Sequence, residues 1–295
     1  MRSLPSHINL CHLVINQHGP IFAEVIELLR DNLQALDLNV TVSVNEMRTN
    51  RINLLVGHLL FLPETMVGRI LGFGQPYIVH QLEPLDDVEG YSSRYPLYFD
   101  LLRGAAQVWD YSRTNIQALR GPGFPEVRYI PIGHSAGLER IPHAPEDIDV
   151  LFYGGLTDRR RRVVEQLRAA GARVETLFNC YAAERDTFIA RAKVVLNVHL
   201  FATRHLEQVR LSYLLNNRRF IVSEEGDCDP YPGGLAYAPY EELADRCLAY
   251  LQPGSEIDRC SIAETGYQAL KRVPMREAMA DALAALPALP EMANR

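Results

Sequence analysis

Short apolar runs alternate with helical stripes along this chain, stop at a polar stretch, and then begin again. Residues 8–15 form an apolar run that ends at the turn-like Asn16-Gln17-His18-Gly19-Pro20. Behind it Ile21, Val25, Leu28, Leu29, Leu33 and Leu36 recur at the spacing of one helical face. Pro20 suits a first helical turn, where a missing N–H costs nothing. The pattern predicts further strands at 40–44, 52–60, 77–82, 108–111 and 127–132. Helices are expected at 63–71, 94–106 and 114–119, with a loop at 83–92. Such alternation implies a parallel sheet covered by helices.

Residues 135–149 turn polar, with Pro142, Pro145 and several acids, and read as a linker. The rhythm then restarts, with strands expected at 149–153, 174–178, 194–200 and 220–223 and helices at 160–170, 184–192, 209–216 and 240–251. Two more helices, about 257–271 and 275–286, close the chain. The expected fold class is therefore α/β, with two Rossmann-like domains facing a cleft and C-terminal helices. The division is 1–140, 147–260 and a helical tail at 261–295 that crosses back or packs on the second domain. Open parallel sheets bind ligands at the carboxyl ends of their strands, so functional residues belong in the strand-to-helix loops.

Composition narrows the partners. The 295 residues are about twice a usual single domain. Thirty Lys and Arg against 36 Asp and Glu leave a net charge of −6, so no global positive field draws in nucleic acid or an anionic membrane. Any anion must be met by a local cluster. No apolar stretch approaches the ~18 residues of a membrane span, and the first residues lack a secretory apolar core, so a cytoplasmic protein is expected. Cys11, Cys180, Cys228, Cys247 and Cys260 contain no C-x-x-C pair and are read as reduced packing thiols.

Gly154 and Gly155 sit between an apolar strand and a helix whose first turn is the basic run from Arg159 to Arg162. Glycine lets backbone N–H groups approach a phosphate, and a helix start favours an anion; a plain tight turn is the competing reading. Four consecutive helical positions point four ways, so at most two of these arginines share a side. His199 ends a strand on which Asn197 alternates to the same face, and Arg204 and Arg210 flank it. In the first half, His18 lies in a strand-to-helix loop, and His80 and Glu83 end another strand. Either His18 or Glu83 can serve as a proton acceptor, with His80 as a competitor. Trp109-Asp110 closes a further strand, where the lone Trp can stack on a sugar or fill the core. Asp227-Cys228-Asp229 has the spacing of a cation-binding pair, but its Pro- and Gly-rich surroundings favour a polar turn, so no metal ligand is assigned.

Residues 149–155, the basic helix start, the run from Ala192 to His199, Arg204, and the segment from Glu207 to Tyr213 running into Phe220 to Glu225 resemble the C-terminal domain of GT-B glycosyltransferases. The likeness covers about 147–255 and points to the group 1 branch that includes CgeB-like enzymes. It implies a nucleotide-diphosphate sugar donor held by Gly154, Gly155, Arg159, His199, Arg204, Glu207, Arg210 and Ser212, and no other cofactor. Ser212 stands near where many GT-B enzymes place a ribose-holding Glu, and Glu207 sits earlier. The first domain then takes a hydroxyl-bearing acceptor, a small molecule, glycan or protein, with Glu83 or His18 as base. Arginines replace a metal in holding the leaving diphosphate. The competing function is a non-catalytic nucleotide- or sugar-binding protein on the same fold.

Overall fold

The computed structural model describes residues 5–15, 19–85, 88–121, 123–200 and 205–286. His18 and Arg204 lie outside the described residues. The chain divides into two units, 1–132 with 274–295 and 133–273.

The first unit is built on six parallel strands, β1 (His7–Leu13), β2 (Asn39–Val44), β3 (Ile52–Gly57), β4 (Tyr77–Gln81), β5 (Gln107–Asp110) and β6 (Val127–Tyr129). Their order is β2-β1-β3-β4-β5-β6. The helices α1 (Ala23–Gln34), α2 (Glu64–Leu71), α3 (Val88–Arg94), α4 (Pro96–Gly104) and α5 (Arg113–Ala118) connect them. Every residue of β3, β4 and β5 is buried, as expected of parallel strands covered on both faces. β3 stops at Gly57 rather than continuing to residue 60. A Cβ there would lie 2.1 Å from the Leu13 carbonyl oxygen, and φ is +139°, so the glycine turns the chain away from β1. The expected loop at 83–92 contains α3, which buries none of its residues and so left no apolar period to read.

The second unit holds β7 (Ile148–Tyr153), β8 (Val174–Leu177), β9 (Ala192–Asn197), β10 (Ile221–Glu224) and β11 (Ala236–Ala238), in the parallel order β11-β10-β9-β7-β8. Helices α6 (Asp158–Ala169), α7 (Ala182–Arg191), α8 (Gln208–Asn216), α9 (Leu243–Ala249) and α10 (Glu256–Lys271) cover it. In each sheet the second strand lies on one side of the first and the third on the other, so the order reverses between β1 and β3 and between β7 and β9. Parallel sheets open a crevice at the carboxyl ends of such strands.

Two expectations change. The stretch read as a linker is bound into the second unit by α8 and the residues after it. Asn216 Oδ1 accepts from the Ser135 amide at 3.1 Å, and Asn217 Oδ1 accepts from the amides of Arg140 and Ile141, both at 2.8 Å. Arg219 donates to the carbonyls of Ile141 and Pro142. The polar composition that suggested a solvated connection is backbone satisfied by buried side chains. The helical tail crosses back, one of the two alternatives expected for it, but from residue 274 rather than 261. α10 packs on α8, whereas α11 (Met275–Ala284) belongs to the first unit, where Gln107 Nε2 donates to Ala282 O at 3.3 Å. Among the described residues no helix is long and apolar enough to cross a membrane.

Candidate functional site

At the reversal point of the second sheet, β7 is followed by Gly154, whose φ is +121° and whose amide donates to Leu177 O on β8 at 2.9 Å. A Cβ at this position would meet Arg210 Nη2 at 2.8 Å, with Arg160 Nη1 at 4.0 Å. The missing side chain therefore makes the room that the Arg210 guanidinium occupies. Gly155 plays a looser part: open space surrounds its Cα, and its carbonyl accepts from Arg160 Nη1 at 3.0 Å. The α6 helix that follows has no side-chain cap on its first turn, and the buried Thr157 hydroxyl has no partner among the described residues. Unfilled N–H groups at a helix start favour an anion.

The basic run resolves by helical phase. Arg160 stands three, four and seven residues before Val163, Val164 and Leu167, the apolar stripe of α6, and is buried with them. Its Nε donates to Val198 O at 2.9 Å, and Nη2 lies 3.8 Å from Glu207 Oε1. Arg159, the residue expected to face the donor, is committed elsewhere. It forms a two-pronged pair with Glu224, donates to His199 O at 3.3 Å, and stacks on the Tyr240 ring at 3.9 Å. Its charge is balanced, so it frames the site. Arg161 and Arg162 are exposed.

Arg210, in the first turn of α8, lies 4.9 Å above the Tyr153 ring and donates to Asn197 Oδ1 at 3.3 Å. Asn197 in turn donates to Glu207 Oε2 at 3.0 Å and to Ser223 Oγ at 3.1 Å. His199 is buried between two acceptors, with Nδ1 2.8 Å from Glu207 Oε2 and Nε2 3.0 Å from Glu225 O. Only the doubly protonated ring can donate to both. Burial opposes the charge on His199, but the hydrogen bond and charge of Glu207, helped by the Glu225 carbonyl, hold its pKa above the ordinary value. Burial likewise works against ionised Glu207, yet His199, Arg210 and Asn197 bring it down to about 2. Arg160 is lowered to about 10, first by burial and next by Arg210. Three guanidiniums and an imidazolium thus face two carboxylates, Glu207 and Glu224, leaving two positive charges beside Gly154. An anion relieves that excess.

One expected site residue stands apart. Ser212 is buried in α8 with its hydroxyl donating to Val209 O at 3.0 Å, so it is unavailable to a ribose. In the Asp227-Cys228-Asp229 triplet, Asp229 Oδ1 accepts from the Tyr231 amide and the Tyr237 hydroxyl, the bonding of a turn. Arg160, Asn197 and Glu224, absent from the expected donor set, belong to the group. The phase of Arg160 with Val163, Val164 and Leu167 was the signal for the first of them.

In the first unit Glu83 follows β4. Burial raises its pKa, and its carboxylate has no hydrogen-bond partner among the described residues. Its backbone is held on both sides: the amide donates to Gln81 Oε1, and the carbonyl accepts from Gln81 Nε2 at 2.8 Å and Asn115 Nδ2 at 2.9 Å. His80 is removed from contention as a base because it is wholly buried against Trp109, and burial lowers it to about 4. Trp109 is core, with its indole N–H donating to Gln107 Oε1 at 2.7 Å.

No family model matches the chain. Among curated proteins it is similar to uncharacterised proteins of Acanthamoeba polyphaga mimivirus. One is 28% identical over 171 residues, 53% of this chain and 55% of that protein. Another is 30% identical over 118 residues, 37% of this chain and 13% of that protein. The match thus spans about half the length of the first relative and a small part of the second. Solved structures match nearly end to end. Anabaena HepE in complex with UDP and glucose gives a TM-score of 0.60 at 14% identity, covering 96% of this chain and 100% of that one. An alpha-glucosyltransferase in complex with UDP gives 0.64 at 10%, covering 94% and 99%. The apo structure of OtsA gives 0.57 at 10%, covering 96% and 99%. At such identities the likeness establishes the fold, which is that of GT-B glycosyltransferases.

Proposed function

We propose that this protein is a glycosyltransferase of the group 1, CgeB-like branch that moves a sugar from a nucleoside-diphosphate sugar to a hydroxyl-bearing acceptor, without a metal ion. The observation that carries the reading is the pair of guanidiniums, Arg160 and Arg210, beside the vacant side-chain position of Gly154 at an uncapped helix start. A diphosphate is the anion of the right size and charge for that setting. Structures of this fold have been described with UDP and with UDP-glucose, which supports a nucleotide donor and makes uridine diphosphate the first to test.

In the proposed mechanism the α6 amides and Arg210 hold the diphosphate. As the bond to the sugar breaks, negative charge builds on the departing phosphate, and Arg210, Arg160 and protonated His199 stabilise it from fixed positions. Glu207 orients His199 and Arg210 rather than binding ribose. Glu83 takes the proton of the acceptor hydroxyl if the reaction inverts the anomeric centre, and the raised pKa of its carboxyl suits a group that must hold that proton.

A non-catalytic nucleotide-binding protein remains the second reading, favoured by the engagement of Glu207 Oε2 with both His199 and Asn197. Turnover separates the two. With nucleotide sugars, a panel of hydroxyl acceptors and a chelator present, the enzyme reading requires acceptor-dependent release of nucleoside diphosphate. Saturable binding with no release by any acceptor gives the binding protein instead.

A further inference from the structure

The strongest unassigned arrangement lies beneath Glu83. Asp110 closes β5 and is wholly buried. Its Oδ1 accepts from the Ser112 amide at 2.7 Å, and its Oδ2 accepts from Gln81 Nε2 at 2.8 Å. The same Gln81 amide reaches the next segment, with Nε2 donating to Glu83 O and Oε1 accepting from the Glu83 amide. Asn115 completes the hold, its Oδ1 accepting from the Leu85 amide at 2.9 Å and its Nδ2 donating to Glu83 O. Gln81, Asp110 and Asn115 are all inaccessible to solvent.

Each protonation state of Asp110 asks for its own orientation of the Gln81 amide, while the Asn115 side chain and the Tyr111 amide also donate to the carboxylate. The Ser112 amide is backbone and cannot turn, so Oδ1 accepts in either state, and a proton on Asp110 is better placed on Oδ2, the oxygen that faces the rotatable Gln81 amide. An ionised Oδ2 demands the NH₂ end of Gln81, which leaves Oε1 for the Glu83 amide. A protonated Oδ2 donates and demands the oxygen end instead. The amide must then rotate, presenting NH₂ to the Glu83 N–H, donor against donor, and that bond is lost. We propose that Asp110 is a positioning residue whose ionisation fixes the orientation of the Gln81 amide and, through it, the Glu83 segment.

Titratable groups flank Asp110 on the neighbouring elements. Tyr98 of α4 is buried, and its pKa is driven up by burial and then by the charges of Glu83 and Asp110. On β6 the register partner is Tyr129, with the Arg113 guanidinium 4.1 Å over its ring. Burial lifts Asp110 to about 7 against the pull of its donors. The inference rests on the glycosyl-transfer reading only for the role of Glu83; the coupling itself is independent of turnover.

The test is an amide nuclear magnetic resonance titration of the full chain across neutral pH, with Asp110→Asn and Glu83→Gln alongside. In the wild type the Ser112, Glu83 and Leu85 amides should shift together with one midpoint. Asp110→Asn places an NH₂ group where the protonated oxygen would be. The Glu83 and Leu85 amides should then hold their low-pH positions throughout, while Glu83→Gln keeps the transition. Glu83 and Leu85 signals that ignore the Ser112 midpoint, or a transition that survives Asp110→Asn, overturn the proposal. Should Asp110→Asn fail to fold, the coincidence of wild-type midpoints decides alone. If the enzyme turns over, kcat should lose its inflection near neutrality in Asp110→Asn while donor KM stays put. A chain without turnover leaves the amide result standing.

Discussion

Gly154 and Gly155 are adjacent and chemically identical, yet their surroundings give them opposite tolerances. At Gly154 a methyl group would sit 2.8 Å from Arg210 Nη2 on a backbone at φ +121°, which L residues rarely adopt. At Gly155 a methyl group meets only open space. Gly154→Ala should displace Arg210 and weaken nucleoside-diphosphate binding by roughly 10-fold or more, the loss of one charge-assisted hydrogen bond of about 1.5 kcal/mol. Gly155→Ala should bind within about twofold of the wild type. Calorimetric titration of both variants checks this, and equal losses at the two positions refute the account of the pair. Both glycines were legible as a phosphate-loop candidate, but nothing in a Gly-Gly pair says which one a guanidinium leans against. The arginines were half legible: density of charge marked the helix, and only helical phase distinguishes buried Arg160 from Arg159, whose charge Glu224 absorbs across 65 residues of sequence.

At the scale of elements, β4 and β5 carry two buried titratable groups, His80 and Asp110, that act oppositely on stability. The folded His80 stays neutral down to about 4, whereas the unfolded imidazole takes a proton below 6.5. Its contribution is therefore lost as pH falls through that window. Asp110 is the reverse: the folded carboxyl keeps its proton up to about 7 while the unfolded one ionises near 3.8, so stability falls as pH rises. Each shift corresponds to roughly 3 to 4 kcal/mol, and over the shared range the two slopes largely cancel. Asp110→Asn should leave stability rising with pH through the His80 window, and His80→Phe should leave it falling towards neutrality. Urea denaturation across that range reads both slopes, and slopes of the same sign in the two variants contradict the assignment. Strands such as β3 and β7 were legible because buried parallel strands are mainly apolar. β11 was not, since a three-residue strand just before a proline is too short to show a period, and α3 was not, since it buries nothing.

For the whole molecule, the restart of the strand-helix rhythm after residue 149 identified two α/β units correctly because each sheet needs its own covering helices. The ends of the units were harder to see. The polar stretch at 135–149 looked like a connection, yet Asn216, Asn217 and Arg219 bind its backbone into the second unit. α11 returns to the first unit through apolar residues such as Met279 and Ala282, whose stripe does not reveal its partner. The central claim is that Arg160 and Arg210, beside Gly154, form a seat for a diphosphate. Its most direct test is calorimetric titration of uridine diphosphate into the wild type and Arg210→Ala with a chelator present. The account predicts one site on the wild type and a loss of about 10- to 100-fold in affinity on Arg210→Ala, from a charge-assisted bond of about 1.5 to 3 kcal/mol. Unchanged affinity in the variant, or no binding of any nucleoside diphosphate by the folded wild type, would contradict it.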